Sequence, residues 1–259
     1  MSERATRIAQ AASAYALTLE GVSRHFGALV ALDAVSMQLR AGERRAVLGA
    51  NGAGKTTLFN AMTGDFPPTA GRILFFGEDL TRMKPHERIR RGLRRTYQIS
   101  LLFQGLSVID NLSLATRGVT RGRFSMIRGG DSEPARLAAE QLAHTVHLDH
   151  VEDIPAGALS YGQQRQLEIG MALAGAPRFI LFDEPAAGLS PSERRELIQI
   201  LRALPAHIGY IIIEHDLDVA LRVVERVTIM DNGRVFKEGS PNEIEADPEV
   251  QRIYLGSKR

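Results

Sequence analysis

Three observations predict an α/β domain built on a mostly parallel sheet. Short β-branched or apolar runs alternate with stretches of helical period, the pattern of strands joined by crossover helices. One run leads into a glycine-rich turn, Gly49–Thr56, and another, Phe179–Phe182, ends in the carboxylates Asp183 and Glu184. The chain has 259 residues, 44% hydrophobic and 24% charged, enough for one large core with a substantial insertion.

Residues 1–14 carry three charges in their first seven positions, with no strong apolar run, and are expected to be a disordered lead-in to a folded domain over 15–259. Strands are predicted at Tyr15–Glu20, Val30–Leu39, Arg45–Leu48, Arg72–Phe76, Arg178–Phe182, Tyr210–Ile213, Arg226–Met230 and Arg234–Glu238. The first two and Arg72–Phe76 have no crossover helices between them, so they should form an antiparallel β subdomain. Asp231-Asn232-Gly233 reads as a hairpin turn between the last two strands. Helices are expected after Gly54, over Pro191–Ala203 and over Leu217–Val224. Between about 99 and 174 the pattern is helical, with a helix over Glu133–Leu148, and predicts a helical subdomain inserted in the core. A basic, glycine-rich stretch within it, near 117–132, reads as a surface loop, either simply solvated or touching lipid headgroups or a partner.

Several function classes are excluded. The chain has no cysteine, which rules out disulfides, thiol catalysis and cysteine-based zinc sites. Its 32 basic and 30 acidic residues give a formal charge of +2, so nothing points to a nucleic-acid partner. No run approaches the roughly 20 apolar residues that cross a bilayer. A soluble, cytoplasmic protein is expected, and any role in transport would need separate membrane subunits. No internal repeat is evident, which argues against two fused copies.

Gly49-Ala50-Asn51-Gly52-Ala53-Gly54-Lys55-Thr56 fits the phosphate-binding pattern G-x-x-x-x-G-K-[ST], between a buried-strand pattern and a helix start that continues with Thr57. Glycines let consecutive backbone N–H groups curl round phosphates, and the helix N-terminus adds positive potential. Lys55 would bridge the β- and γ-phosphates of a nucleoside triphosphate, and the Thr56 hydroxyl would ligate Mg²⁺. A strand ending in Asp183 puts that carboxylate at the C-terminal edge of a parallel sheet, where it would hold the Mg²⁺ while Glu184 polarises the attacking water. A kinase, a GTPase and a DNA-dependent ATPase all remain compatible at this point.

Leu159-Ser160-Tyr161-Gly162-Gln163-Gln164 narrows the choice, because it resembles the LSGGQ signature of ABC ATPases, with Tyr161 in the third place. Ser160 can cap the following helix, and Gly162 permits close approach of backbone to phosphate. The resemblance implies the ABC ATPase fold and a composite site, in which Ser160, Tyr161, Gly162 and Gln163 of one subunit face ATP held by another. It also implies that Gln98 contacts Mg²⁺ and water, that His215 senses the γ-phosphate, and that adenine stacks on Phe26. Phe26 could instead be plain core packing.

Nearly the whole chain resembles one group, the ATP-binding subunits of branched-chain amino acid importers, through Phe26-Gly27, Gly49–Leu58, Leu106–Leu112, Leu159–Ile169, Asp183–Leu189, Glu214-His215-Asp216 and Ile253–Gly256. Ala50, Met171 and Ser190 depart from that group's usual residues, and Ile99–Gln104 is atypical. The resemblance implies ATP and Mg²⁺ as cofactors, a second ATP-binding subunit (identical or not), two transmembrane permease subunits and, indirectly, a periplasmic solute-binding protein. It places the chain on the cytoplasmic side of the inner membrane. The alternatives are import of urea, amides or aromatic acids, an ABC ATPase outside transport, and a nucleotide-binding module without turnover.

Overall fold

The computed structural model describes residues 15–96, 102–119 and 132–256. The lead-in 1–14, Gln98 and most of the basic stretch lie outside the described residues.

Tyr15–Phe26 (β1) and Leu29–Arg40 (β2) form an antiparallel hairpin, with Phe26 opposite Leu29 at its tip. Arg44–Leu48 (β3) then enters a second sheet, and Lys55–Thr63 (α1) follows it. Ala70–Phe75 (β4) and Glu78–Asp79 (β5) return to the first sheet, whose order is β2-β1-β4-β5, antiparallel throughout. The remaining strands, Leu93–Arg95 (β6), Phe179–Asp183 (β7), Gly209–Ile213 (β8), Arg226–Asp231 (β9) and Arg234–Gly239 (β10), complete a six-stranded sheet of order β10-β9-β3-β8-β7-β6. All its pairings are parallel except β9–β10. That hairpin turns at Asn232 and Gly233, both with positive φ (46° and 76°), as a two-residue primed turn requires.

The apolar runs of β3, β7 and β8 are continuous because both faces of the parallel sheet are buried. Ala46, Leu48, Ile180, Phe182, Tyr210 and Ile212 face one core, shared with helices. Val47, Phe179, Leu181, Ile211 and Ile213 face the other, shared with the antiparallel sheet and α1. The alternation along each strand follows directly from the two-residue period of β structure.

Between β6 and β7 the described residues hold three α-helices, Val108–Val119 (α3), Ser132–Thr145 (α4) and Tyr161–Leu173 (α5), two short 3-10 turns at Asp149–Val151 and Ala156–Ala158, and one isolated bridge between Ser107 and Pro155. They close on one another tightly. A Cβ on Gly170 of α5 would lie 2.9 Å from the side chain of Leu112 on α3, and 3.2 Å from that of Val146. Arg117–Val119, the beginning of the expected surface loop, is the last turn of α3.

The elements not expected are β5, the helices Pro241–Glu245 and Pro248–Gly256, a short helix after β5 and a short strand. Pro85–Arg90 (α2) has six residues, and β6 has three, of which only Leu93 is apolar and buried. α2 exists to deliver Arg88, which is 1% exposed and whose Nη1 donates to the carbonyls of Ala61 and Met62 at 2.7 and 2.6 Å. A guanidinium there satisfies orphan carbonyls at the end of α1 and sits at the favourable end of its dipole. Burial lowers its pKa to about 10. β6 pairs with β7, placing Arg94 opposite Ile180 and Arg95 opposite Leu181, so tertiary pairing overrides weak strand propensity. Pro191–Ala203 (α6), Leu217–Val223 (α7), Pro241–Glu245 (α8) and Pro248–Gly256 (α9) complete the chain.

Candidate functional site

The strand order β3-β8-β7 brings three loops together at one edge of the parallel sheet, since all three strands run the same way. The turn at 49–54 follows β3, Glu184 follows β7 and His215 lies just beyond β8. Crevices at the carboxyl ends of parallel strands are the usual ligand sites of such sheets.

The loop from Gly49 to Gly54 wraps its own lysine. Lys55 Nζ donates to the carbonyls of Gly49 at 2.7 Å and Ala50 at 2.9 Å. Burial lowers the Lys55 pKa, and the charge of Glu184 partly opposes that shift, so the two side chains share one electrostatic environment. Gly54, the residue before α1, sits at φ 96°, and a Cβ there would come within 2.6 Å of the Ala31 carbonyl. Only glycine is tolerated at such a turn. No side chain caps the N-terminus of α1, which leaves its first N–H groups available to an anion. Asn51, Gly52 and Thr56 are exposed, Ala53 is buried and Thr57 half-buried.

Glu184 and His215 meet directly, with Glu184 Oε1 2.8 Å from His215 Nε2. Glu184 adopts φ 49°, a left-handed conformation that costs energy for a side chain with a Cβ and clusters at functional sites. Asp183 is 3% exposed and its Oδ2 accepts from Arg95 Nη2 at 2.6 Å. Arg95 also reaches Asn60 Oδ1 at 2.6 Å and Asp65 Oδ2 at 2.8 Å, tying β6 to α1. The Thr56 hydroxyl and the Asp183 carboxylate are hard oxygen donors, a set that suits Mg²⁺.

Ser160 caps α5 as its sequence predicts. Its Oγ accepts from Gln163 N at 3.2 Å, and Gln163 Oε1 accepts from Ser160 N at 3.0 Å, a complete capping box. Gly162 N donates to Glu193 Oε1 at 3.2 Å, and a Cβ on Gly162 would lie 2.4 Å from that oxygen. Glu193 also accepts from Ser190 N at 2.8 Å through its other oxygen, closing a second capping box at the start of α6. Ser190, the departure noted in the sequence, is thus the N-cap of α6. Tyr161 is 48% exposed, and its hydroxyl accepts from Arg165 Nη2 at 2.8 Å.

Phe26 is 44% exposed, so it is not core packing. Its ring meets Phe66 edge-on at 5.5 Å, and the Arg24 guanidinium lies 4.6 Å from both ring centroids. The structure therefore joins Lys55, Glu184 and His215 at one sheet edge, while the partners of Ser160–Gln163 come from α5 and the start of α6. Sequence reasoning missed Arg95, Glu193 and Glu214. The Glu three residues after Ser190 was a capping-box signal that could have flagged Glu193.

A family model described as ABC transporter matches residues 32–187. The chain is 34% identical over 250 residues to the high-affinity branched-chain amino acid transport ATP-binding protein BraF of Pseudomonas aeruginosa, covering 93% of this chain and 97% of the relative. It is 35% identical over 249 residues to the corresponding LivG of Escherichia coli, with the same coverage. It is also 36% identical over 243 residues to the lipopolysaccharide export system ATP-binding protein LptB of Acidithiobacillus ferridurans, again covering 93% and 97%. Among solved structures, a nucleotide-free ATP-binding cassette from an ABC transporter superposes with a TM-score of 0.82 at 32% identity, covering 93% of this chain and 98% of that one. An ADP-bound cassette of an ABC transporter gives 0.82 at 31%, covering 93% and 99%.

Proposed function

Because this chain belongs to the ABC transporter family, as one of its ATP-hydrolysing subunits, we propose that it energises a solute importer through ATP bound at Gly49–Thr57. The observation that carries the proposal is the convergence of Lys55, Glu184 and His215, with Glu184 and His215 2.8 Å apart.

In this mechanism the backbone N–H groups of 49–57 and the uncapped start of α1 receive the phosphates. Lys55, held by the carbonyls of Gly49 and Ala50, exchanges those contacts for β- and γ-phosphate oxygens. Adenine stacks on the exposed ring of Phe26, with Arg24 beside it. Glu184 orients the attacking water and accepts its proton, and His215 reports the γ-phosphate through its contact with Glu184. Thr56, Asp183 and Gln98 would hold Mg²⁺, which when bound neutralises charge on the β- and γ-phosphates. Catalysis by such a site is positioning and electrostatics.

The second half of the clamp is Ser160, Tyr161, Gly162 and Gln163 of a partner ATP-binding subunit, identical or homologous. ATP binding would close the dimer and hydrolysis release it, driving two transmembrane permease subunits at the cytoplasmic face of the membrane. No helix among the described residues is long and apolar enough to cross a bilayer. Residues 99–174 would form the helical subdomain that contacts the permeases. The similarity to BraF and LivG favours branched-chain amino acids or related small solutes, delivered by a periplasmic binding protein. The comparable similarity to LptB supports lipopolysaccharide export as the second reading.

Steady-state ATPase assays of Lys55→Ala and Glu184→Gln test the chemistry. Lys55→Ala should lose ATP affinity, while Glu184→Gln should bind ATP normally and hydrolyse it at least about a hundredfold more slowly. Unchanged turnover in Glu184→Gln would remove it as the base. Uptake of labelled leucine by the chain reconstituted with its permeases separates the two cargo readings.

A further inference from the structure

Glu214 closes the apolar run of β8 and takes no part in the mechanism above, yet it is only 2% exposed. Its two oxygens point in two directions. Oε1 accepts from Ala186 N at 2.7 Å, and Oε2 accepts from His215 N at 3.2 Å. The amides of the turn carrying Glu184 show why the first bond matters. Glu184 N donates to the Ile213 carbonyl at 3.0 Å, Pro185 has no N–H, and Ala187 N donates to the Glu184 carbonyl at 3.1 Å. That leaves Ala186 N, whose partner is the Glu214 carboxylate.

The turn needs such a restraint. Glu184 sits at φ 49°, a conformation that persists only where the surroundings over-determine it. A hydrogen bond between that buried amide and a fixed carboxyl oxygen is a restraint of that kind. Because the same carboxylate also fixes the amide of His215, one side chain sets the backbone on both sides of the Glu184–His215 contact. The side chains of Glu184 and His215 themselves meet each other.

We propose that Glu214 is a positioning residue for ATP hydrolysis, holding the Glu184 turn and the His215 backbone in fixed relation so that the two side chains stay in register. The proposal rests on the roles assigned above to Glu184 and His215.

The test uses the full chain as wild type, Glu214→Ala, Glu214→Gln and Glu184→Gln, each assayed for kcat, for KM and for affinity and stoichiometry of a fluorescent ATP analogue. Glu214→Ala should lower kcat about 10- to 100-fold while analogue affinity stays within about threefold. Glu214→Gln keeps one carbonyl oxygen for Ala186 N and should recover part of the loss. A residue that served stability alone would instead lower the binding stoichiometry, with kcat per bound site unchanged, and that result overturns the proposal. So does a kcat within twofold of wild type in both variants. If Glu184→Gln is inactive while the Glu214 variants are not, only the positioning role falls. If Glu184→Gln turns over normally, the assignment beneath it falls too.

Discussion

Burial pushes the Glu214 carboxyl up to about 7 from an ordinary 4.5. Between those values the folded chain binds more protons than the unfolded one, so stability falls as pH rises through that window. The contribution is fully present below about 4.5 and lost above about 7, and its upper bound is on the order of 3 kcal/mol. Glu214→Gln removes the titration, so its melting temperature should gain on wild type between pH 5 and pH 8. At about 2–4 °C per kcal/mol for a domain of this size, the gain should reach several degrees. A difference that stays flat across that range contradicts the assignment. A variant more stable at pH 8 yet slower would show stability given up for function.

Individual residues were legible in the sequence where a local pattern constrained them. Lys55 closes a phosphate-loop pattern, Glu184 and His215 lie just past apolar strand runs, and Ser160 with Gln163 spells a capping box within four residues. Arg95 and Glu214 were not legible, because their partners lie far off in the chain. Arg95 meets Asp183 across the β6–β7 pairing, and Glu214 meets Ala186 across β7–β8. Nothing in periodicity or propensity encodes such contacts.

Among the elements, the capped helices give a direct energetic test. Ser160, Ser190 and Ser240 each begin a helix with a complete capping box. Ser160→Ala removes the acceptor for Gln163 N and should cost about 1 kcal/mol in urea denaturation, with the m-value unchanged. A loss below roughly 0.3 kcal/mol would mean that the box contributes nothing to α5. Long periodic elements such as α6 match their expected bounds, whereas α2 and β6 escaped because six and three residues hold too little pattern. Both are held by arginines: Arg88 at the end of α1, and Arg95 on Asp183.

For the whole molecule, the alternation of runs and the missing crossovers near the N-terminus were enough to anticipate a parallel sheet beside an antiparallel one. The strand order that makes β3, β8 and β7 neighbours was not readable, because it depends on which crossover passes over which face. That order is what turns three separate loops into one site. The start of α5 has its partners elsewhere, with Gly162 N held by Glu193. The composite site proposed for ATP therefore needs a second subunit to complete it.

Sedimentation of Glu184→Gln with and without ATP, compared with Glu184→Gln/Ser160→Asp, tests that requirement most directly. With ATP and its ATP-binding partner, which is either a second copy or a homologue, the single variant should shift to a dimer. Asp at the exposed N-cap position 160 keeps a capping oxygen for α5, so the double variant should bind ATP with the same affinity and stay monomeric, because the added carboxylate repels the incoming phosphate. A dimer that forms equally well with Ser160→Asp, or a Glu184→Gln chain that binds ATP and never dimerises, would contradict the composite site.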